Sequence, residues 1–89
     1  MEKYKISTNQ TSAKIGEETV LLDHANGEYF GLNEIGTIIW ESLKNSPKDF
    51  NELKEVILSQ YEVDEDSAAN DLREVLDDLL KNGLLEKTL

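Results

Sequence analysis

The sequence predicts an α+β fold in which antiparallel strands fill the first third of the chain and three helices the remainder. Three observations predict it. Asn26-Gly27 separates two strand-like runs, three later segments repeat apolar residues at helical spacing, and each of those segments opens with a residue able to cap a helix. The 89 residues make one domain, and a chain this short hides only about two thirds of its unfolded surface, so its core must be compact.

The strands come first. Ala13-Lys14-Ile15, a turn at Gly16-Glu17, Thr19 to Asp23, a second turn at Ala25-Asn26-Gly27, and Glu28 to Leu32 have the rhythm of an antiparallel meander. Asn-Gly supplies the positive φ values of a tight hairpin turn. Tyr4 and Ile6 alternate with polar residues, and the sequence leaves open whether they add a strand or lie against the domain.

Asn33 caps the first helix, along which Ile35, Ile38, Ile39 and Leu43 recur; Gly36 inside it costs about 1 kcal/mol relative to alanine and implies a close approach. Asn45-Ser46-Pro47 ends that run. Asp49 with Glu52 resembles a capping box, and Phe50, Leu53, Val56, Ile57 and Tyr61 form the stripe of the second helix. Asp64 caps the third, where Ala68, Leu72, Val75, Leu76, Leu79 and Leu80 recur before Asn82-Gly83 closes it and Leu84-Leu85 fold back onto the core.

Charge narrows the function. The net charge is −10, and Asp64 to Asn82 carries seven acids against Arg73 and Lys81, whereas Met1 to Val20 sums to zero. Strands plus three helices could form a winged-helix DNA binder, but duplex affinity comes from Lys and Arg neutralising phosphates, and the would-be recognition helix is acidic. Nucleic acid is therefore excluded and a basic partner favoured, although an acidic solvated face also serves solubility. The absence of cysteine rules out disulfides and thiolate metal sites, and no segment approaches the ~20 apolar residues of a membrane span, so a cytosolic protein is the expectation. His24 lies beside a turn, with no nucleophile motif, phosphate loop or metal-ligand spacing elsewhere; no catalytic residue, metal or cofactor is expected. Protein or peptide binding remains.

The run Glu28 to Leu32 is the best candidate surface. Side chains alternate across a strand, so Phe30 and Leu32 share the core face and Tyr29 and Gly31 the other. As the last strand of the meander it has one unpaired edge, and no lysine, proline or bulge blunts it. Gly31 removes a side chain that would obstruct an incoming chain. Two duller occupants stay open, namely the protein's own N-terminal segment and a second copy. Tyr29 also reads as a half-buried sheet aromatic, and Trp40 as core.

The run "VLLDHANGEYFGLNEIGTIIWESL", Val20 to Leu43, followed by two amphipathic helices ending in "LLKNGLLE", resembles the PqqD-like family, the precursor-recognition element of ribosomally made, modified peptides. The hairpin "LLD…G.YF.LN", the "G..IW" of Gly36 to Trp40 and the closing "L..L...GLL" from Leu76 to Leu85 carry the likeness, which covers roughly Ser12 to Glu86 of a domain expected over 1–89. The resemblance implies a winged-helix-like arrangement of a three-stranded antiparallel sheet followed by three helices, without catalysis. It further implies that a leader peptide adds as a strand to the third strand and lies in a cleft against the third helix. Carried over by position, the binding residues are Glu28, Tyr29, Phe30, Gly31 and Leu32 on the strand, with Ala68, Ala69, Leu72, Arg73, Val75, Leu76 and Leu79 on the helix. Free-standing members of this length look most like the recognition proteins of lasso-peptide clusters, which pass a basic leader to a separate leader peptidase. Other free-standing members serve PQQ maturation, and a homo-oligomer that buries the bare edge is the rival from another class.

Overall fold

In the computed structural model, which describes residues 2–8, 10–24 and 26–88, the elements run β1 (Lys3–Ile6), β2 (Gln10–Ile15), β3 (Glu18–Asp23), β4 (Glu28–Leu32), α1 (Glu34–Asn45), α2 (Phe50–Gln60), α3 (Glu65–Lys81) and β5 (Leu85–Thr88). The expected α+β architecture is present, with β2-β3-β4 as a three-stranded antiparallel meander and the three helices following it.

Pairing of Ile15 with Glu18 leaves Gly16-Glu17 as a two-residue turn, with Gly16 in the left-handed region at φ +65°. The second turn is wider than the tight Asn-Gly form. Asp23 pairs with Glu28, so the connection runs over residues 24–27, and Gly27 at φ +68° donates its N–H to the Asp23 carbonyl at 2.8 Å. The Asn26 amide meanwhile donates to the Asp23 carboxylate at 2.9 Å, so Asn26 bonds to the strand end instead of forming half of a two-residue turn. Ala25, which the sequence places in that turn, lies outside the described residues. Strand β2 also starts earlier than Ala13, at Gln10. Gln10, Thr11 and Ser12 have no apolar alternation to announce a strand; their extended form comes from pairing with Asp23, Leu22 and Leu21.

The helices begin where their caps place them. Gly36 N–H donates to Asn33 Oδ1 at 2.9 Å, Glu52 N–H to Asp49 Oδ1 at 2.8 Å with the reciprocal bond completing the box, and Ser67 N–H to Asp64 Oδ2 at 3.3 Å. Gly36 keeps the strand-to-helix corner tight: a Cβ there would sit 3.2 Å from Leu32 Cβ, so the corner would have to give by a few tenths of an ångström to take a larger residue. Helix α3 ends in a Schellman motif. Gly83 at φ +74° donates to Leu80 O at 3.1 Å, and Leu84 N–H reaches back to Leu79 O at 2.9 Å. That reversal puts Leu84 and Leu85 into the core, as the sequence indicates.

The open question of Tyr4 and Ile6 is answered by the far end of the chain. Strand β1 pairs antiparallel with β5, Ile6 opposite Leu85 and Lys3 opposite Thr88, forming a two-stranded ribbon separate from the meander. Its other edge is also used: Tyr4 N–H donates to Lys48 O at 2.8 Å and Lys48 N–H to Tyr4 O at 3.1 Å. Tyr4 and Ile6 pack on a core of Leu21 and Leu32 from the sheet, Ile39, Trp40 and Leu43 from α1, Leu53 and Ile57 from α2, and Leu72, Leu76 and Leu79 from α3. Trp40 is fully buried, in line with its reading as core.

Candidate functional site

Strand β4 is the last of its sheet and pairs only with β3, so among the described residues its second edge is free. The two sides of the strand differ as the alternation requires: Leu32 is buried, Phe30 is half-buried against the core, and Glu28, Tyr29 and Gly31 are exposed. A strand edge with this outward row of N–H and C=O groups is a template for another extended chain.

Beside that edge lies a groove of about 230 Å³. Phe30, Gly31 and Leu32 form its strand wall, Val75 and Leu79 its helix wall, and Asn33 and Gly36 its floor at the strand-to-helix corner. The groove exists because β4 rests on α1, leaving a gap between the strand and α3. Asp78 and Asn82 also line it from α3, so the groove is mixed, with apolar walls beside a carboxylate and amides. Such a slot suits an apolar side chain whose neighbour or tip bears a donor or a positive charge.

The helix residues named from the sequence separate into three groups. Val75 and Leu79 face the groove. Ala68 and Leu72 are enclosed in the core, and Ala69 is half-buried beside them. Arg73 and Leu76 turn to the other flank of α3, where the Arg73 guanidinium lies 5.3 Å from the centre of the Phe50 ring, and both side chains border a second hollow with Tyr4 and Asp77. On the strand, Phe30, Gly31 and Leu32 reach the groove, whereas Glu28 stands at the start of the strand and Tyr29 projects from the opposite face, 72% exposed and not half-buried as its residue type suggests.

Four groove residues were not singled out by the sequence: Asn33, Gly36, Asp78 and Asn82. Asn33, Gly36 and Asn82 have local roles in the sequence as cap, close contact and helix end, which do not mark them as groove residues. Asp78 and Asn82 follow Val75 by three and seven positions, the spacing of one helix face, so the signal was present in the periodicity once polar residues were allowed on the stripe.

Around the site α3 is held by its first turn. The Ser67 hydroxyl and amide hydrogen-bond the Asp64 carboxyl and hold its pKa below the ordinary value, and the Lys54 ammonium, 2.7 Å from Glu65, does the same for that carboxyl while tying α3 to α2. Among the described residues no group of three or more His, Asp or Glu side chains is placed to hold a metal ion, and no helix is long and apolar enough to cross a membrane.

Residues 18–85 match the family profile described as Coenzyme PQQ synthesis protein D (PqqD). The chain belongs to the PqqD family. The matched span runs from the first residue of β3 to the first residue of β5, so every residue bordering the groove falls within the PqqD match while β1 and β2 lie outside it. Two solved structures share the whole architecture. TbiB1 in complex with the TbiA(beta) leader peptide is 40% identical, with a TM-score of 0.84 over 92% of this chain and 94% of its own. A lasso peptide synthetase B1 complexed with the leader peptide is 25% identical, with a TM-score of 0.80 over 93% of this chain and 96% of its own. No curated protein matches the sequence.

Proposed function

We propose that this PqqD-family chain is a non-catalytic adaptor that binds the leader segment of a ribosomally made precursor peptide and delivers it to a leader peptidase, in a pathway of the lasso-peptide type. The observation that carries the reading is the free edge of β4 beside the groove that the strand shares with α3. Two structural neighbours being leader-peptide complexes, one of them a lasso peptide synthetase B1, supports the ligand class.

In this mechanism the leader adds as an antiparallel strand along Glu28–Leu32 and sends alternate side chains into the groove. Four or five backbone bonds at a net of about 0.5–1.5 kcal/mol each do not offset the cost of association and of ordering a flexible segment. Side chains in the groove must supply the remainder. Burying two of Tyr, Leu or Pro size between Phe30 and Leu79 adds about 1.5–3 kcal/mol apiece, which makes micromolar or tighter affinity reasonable. Asp78 at the rim and the exposed acids of α3 favour a leader carrying lysine or arginine. The adaptor then acts by raising the local concentration of substrate at the enzyme.

The direct test is titration of a synthetic peptide with the sequence of the TbiA(beta) leader into the purified protein. A one-to-one complex with a monomer supports the reading. A peptide-independent dimer whose formation blocks peptide binding would remove it in favour of a self-associating protein.

A further inference from the structure

On the flank of α3 turned away from the groove lies the hollow bordered by Tyr4, Phe50, Arg73, Leu76 and Asp77. Arg73 is the single arginine of the chain, and it stands in the acidic run from Asp64 to Asn82. Its guanidinium lies 5.3 Å from the centre of the Phe50 ring, and its Nη1 donates to Asn70 Oδ1 at 3.3 Å. Neither contact neutralises it. Among the described residues Arg73 forms no ion pair, although Asp77, one turn further along the helix, lines the same hollow. A second cation stands near the other ring: the Lys87 ammonium is 6.0 Å from the centre of Tyr4, with Glu2 3.6 Å away as its ion-pair partner.

The guanidinium is a planar fork of N–H donors, of which Asn70 takes one, and the remainder have no acceptor among the described residues. An arginine held over an aromatic ring with its fork unfilled is prepared for a carboxylate, which it grips through two parallel bonds. Stacking on Phe50 also removes part of the rotamer freedom that an exposed arginine otherwise loses on binding. The walls call for a different chemistry. Phe50 and Tyr4 are half-buried and Leu76 is buried, so the interior offers ring surfaces and methyl groups. At about 190 Å³ the hollow is smaller than the ~300–1,000 Å³ of small-molecule pockets, and it suits one large side chain. Arginine and tyrosine beside an apolar hollow are the residue types that dominate binding energy at protein interfaces.

We propose that this hollow is a docking site for an acidic segment of a partner protein, which inserts an aromatic side chain between Tyr4, Phe50 and Leu76 and gives Arg73 the carboxylate of a neighbouring Glu or Asp. Charge selects the occupant. The leader favoured at β4 is basic, and its lysines or arginines would be repelled by Arg73 and Lys87. A second copy supplies carboxylates, but two chains that each carry −10 repel one another as wholes. A separate protein with a short acidic, aromatic-containing run has neither disadvantage. Position gives the site its independence. Arg73 and Leu76 lie on the opposite flank of α3 from Val75 and Leu79, so this partner and a leader at β4 engage one helix from two sides without sharing a lining residue. The site goes beyond the adaptor reading and holds whether or not a leader binds.

The test is nuclear magnetic resonance of the isotope-labelled chain, in which the lone arginine gives a single Nε–Hε signal. The probes are the blocked peptide acetyl-Gly-Glu-Phe-Glu-Gly-amide and its counterpart with Gln in place of each Glu. With the acidic peptide the Arg73 signal and the backbone amides of Leu76 and Asp77 should move and saturate, and the glutamine peptide should bind about fivefold or more weakly. Arg73→Gln should lose about fivefold or more in affinity for the acidic peptide and Arg73→Lys about threefold, since lysine keeps the charge without the fork. Both variants should keep the native circular dichroism and hold leader affinity within about twofold. An Arg73 signal that stays in place up to about 10 mM acidic peptide would overturn the proposal. So would equal binding of the two peptides, or movement confined to Gly31 and Val75, which puts the peptide in the leader groove. A native dimer that Arg73→Gln converts to monomer also overturns it, since the hollow would then belong to a second copy. Failure to bind the TbiA(beta) leader is a separate result and counts against the adaptor reading alone.

Discussion

Strands β1 and β4 are both short edge candidates, and the chain treats them in opposite ways. Strand β1 has both sides engaged, one by β5 and the other by the paired bonds between Tyr4 and Lys48, and its flanks carry the Lys5–Glu86 and Lys87–Glu2 ion pairs. Strand β4 is paired on one side only and is followed at once by a capped helix. The N-terminal segment, one of two occupants the sequence allowed for the β4 edge, closes a ribbon elsewhere. Among the described residues, β1 is thus bonded on both sides, while the outer edge of β4 is left available beside the α3 groove. Unpaired strand edges invite association, and the proposed strand addition depends on the one that lies beside the groove.

The contrast can be broken at several points. The largest effect should come from the groove itself: Val75→Asp places a carboxylate at a half-buried groove position packed on the core, and leader affinity measured by calorimetry should fall by about 100-fold or more at temperatures where circular dichroism shows the variant folded. Phe30→Asp should act in the same direction from the strand wall. Next comes the ribbon. Tyr4→Pro removes the N–H that bonds Lys48 O and should destabilise the fold by about 2 kcal/mol or more in denaturant melts, yet leave leader affinity unchanged at temperatures where the chain is folded. An equal loss of peptide affinity would show that the two regions are coupled.

Smaller effects sharpen the picture. Asn33→Ala deletes the cap where β4 turns into α1 and should cost about 1 kcal/mol of stability. The depressed carboxyls of Asp64 and Glu65 contribute stability that is present above their ordinary values of 3.8 and 4.5 and is lost as pH falls through their lower folded values. Loosening of the α2–α3 contact should therefore begin below about pH 4 in amide exchange, ahead of the ribbon. The smallest change is Gly31→Ala, which meets open space and should stabilise the free chain by about 0.5 kcal/mol. If it also weakens leader or peptidase binding, the glycine is kept for a partner.

Much of the fold was legible because its signals are local. Asn33, Asp49 and Asp64 each satisfy amides within their own first turn, Gly83 permits the reversal that ends α3, and Gly16 turns the first hairpin, all without help from distant residues. The polar half of β2 was not legible, since its extension depends on a partner strand and no apolar residue marks it. Tyr29 misled in a different way. An aromatic in a strand usually shields an apolar face, but here Tyr29 is left exposed by the described residues.

The sequence by itself determined where β3, β4 and the three helices lie, which face of β4 is buried, and that the third helix is acidic, because caps, turns and alternation act over a few residues. Only the tertiary structure decided that Val75 and Leu79, with Asp78 and Asn82, face the groove while Arg73 and Leu76 face Phe50 and Tyr4. It also decided that β1 joins β5 and leaves β4 free. A helix with apolar residues on two flanks has no intrinsic front, and a pairing between opposite ends of the chain leaves no local mark; both are fixed by which surfaces meet when the core closes.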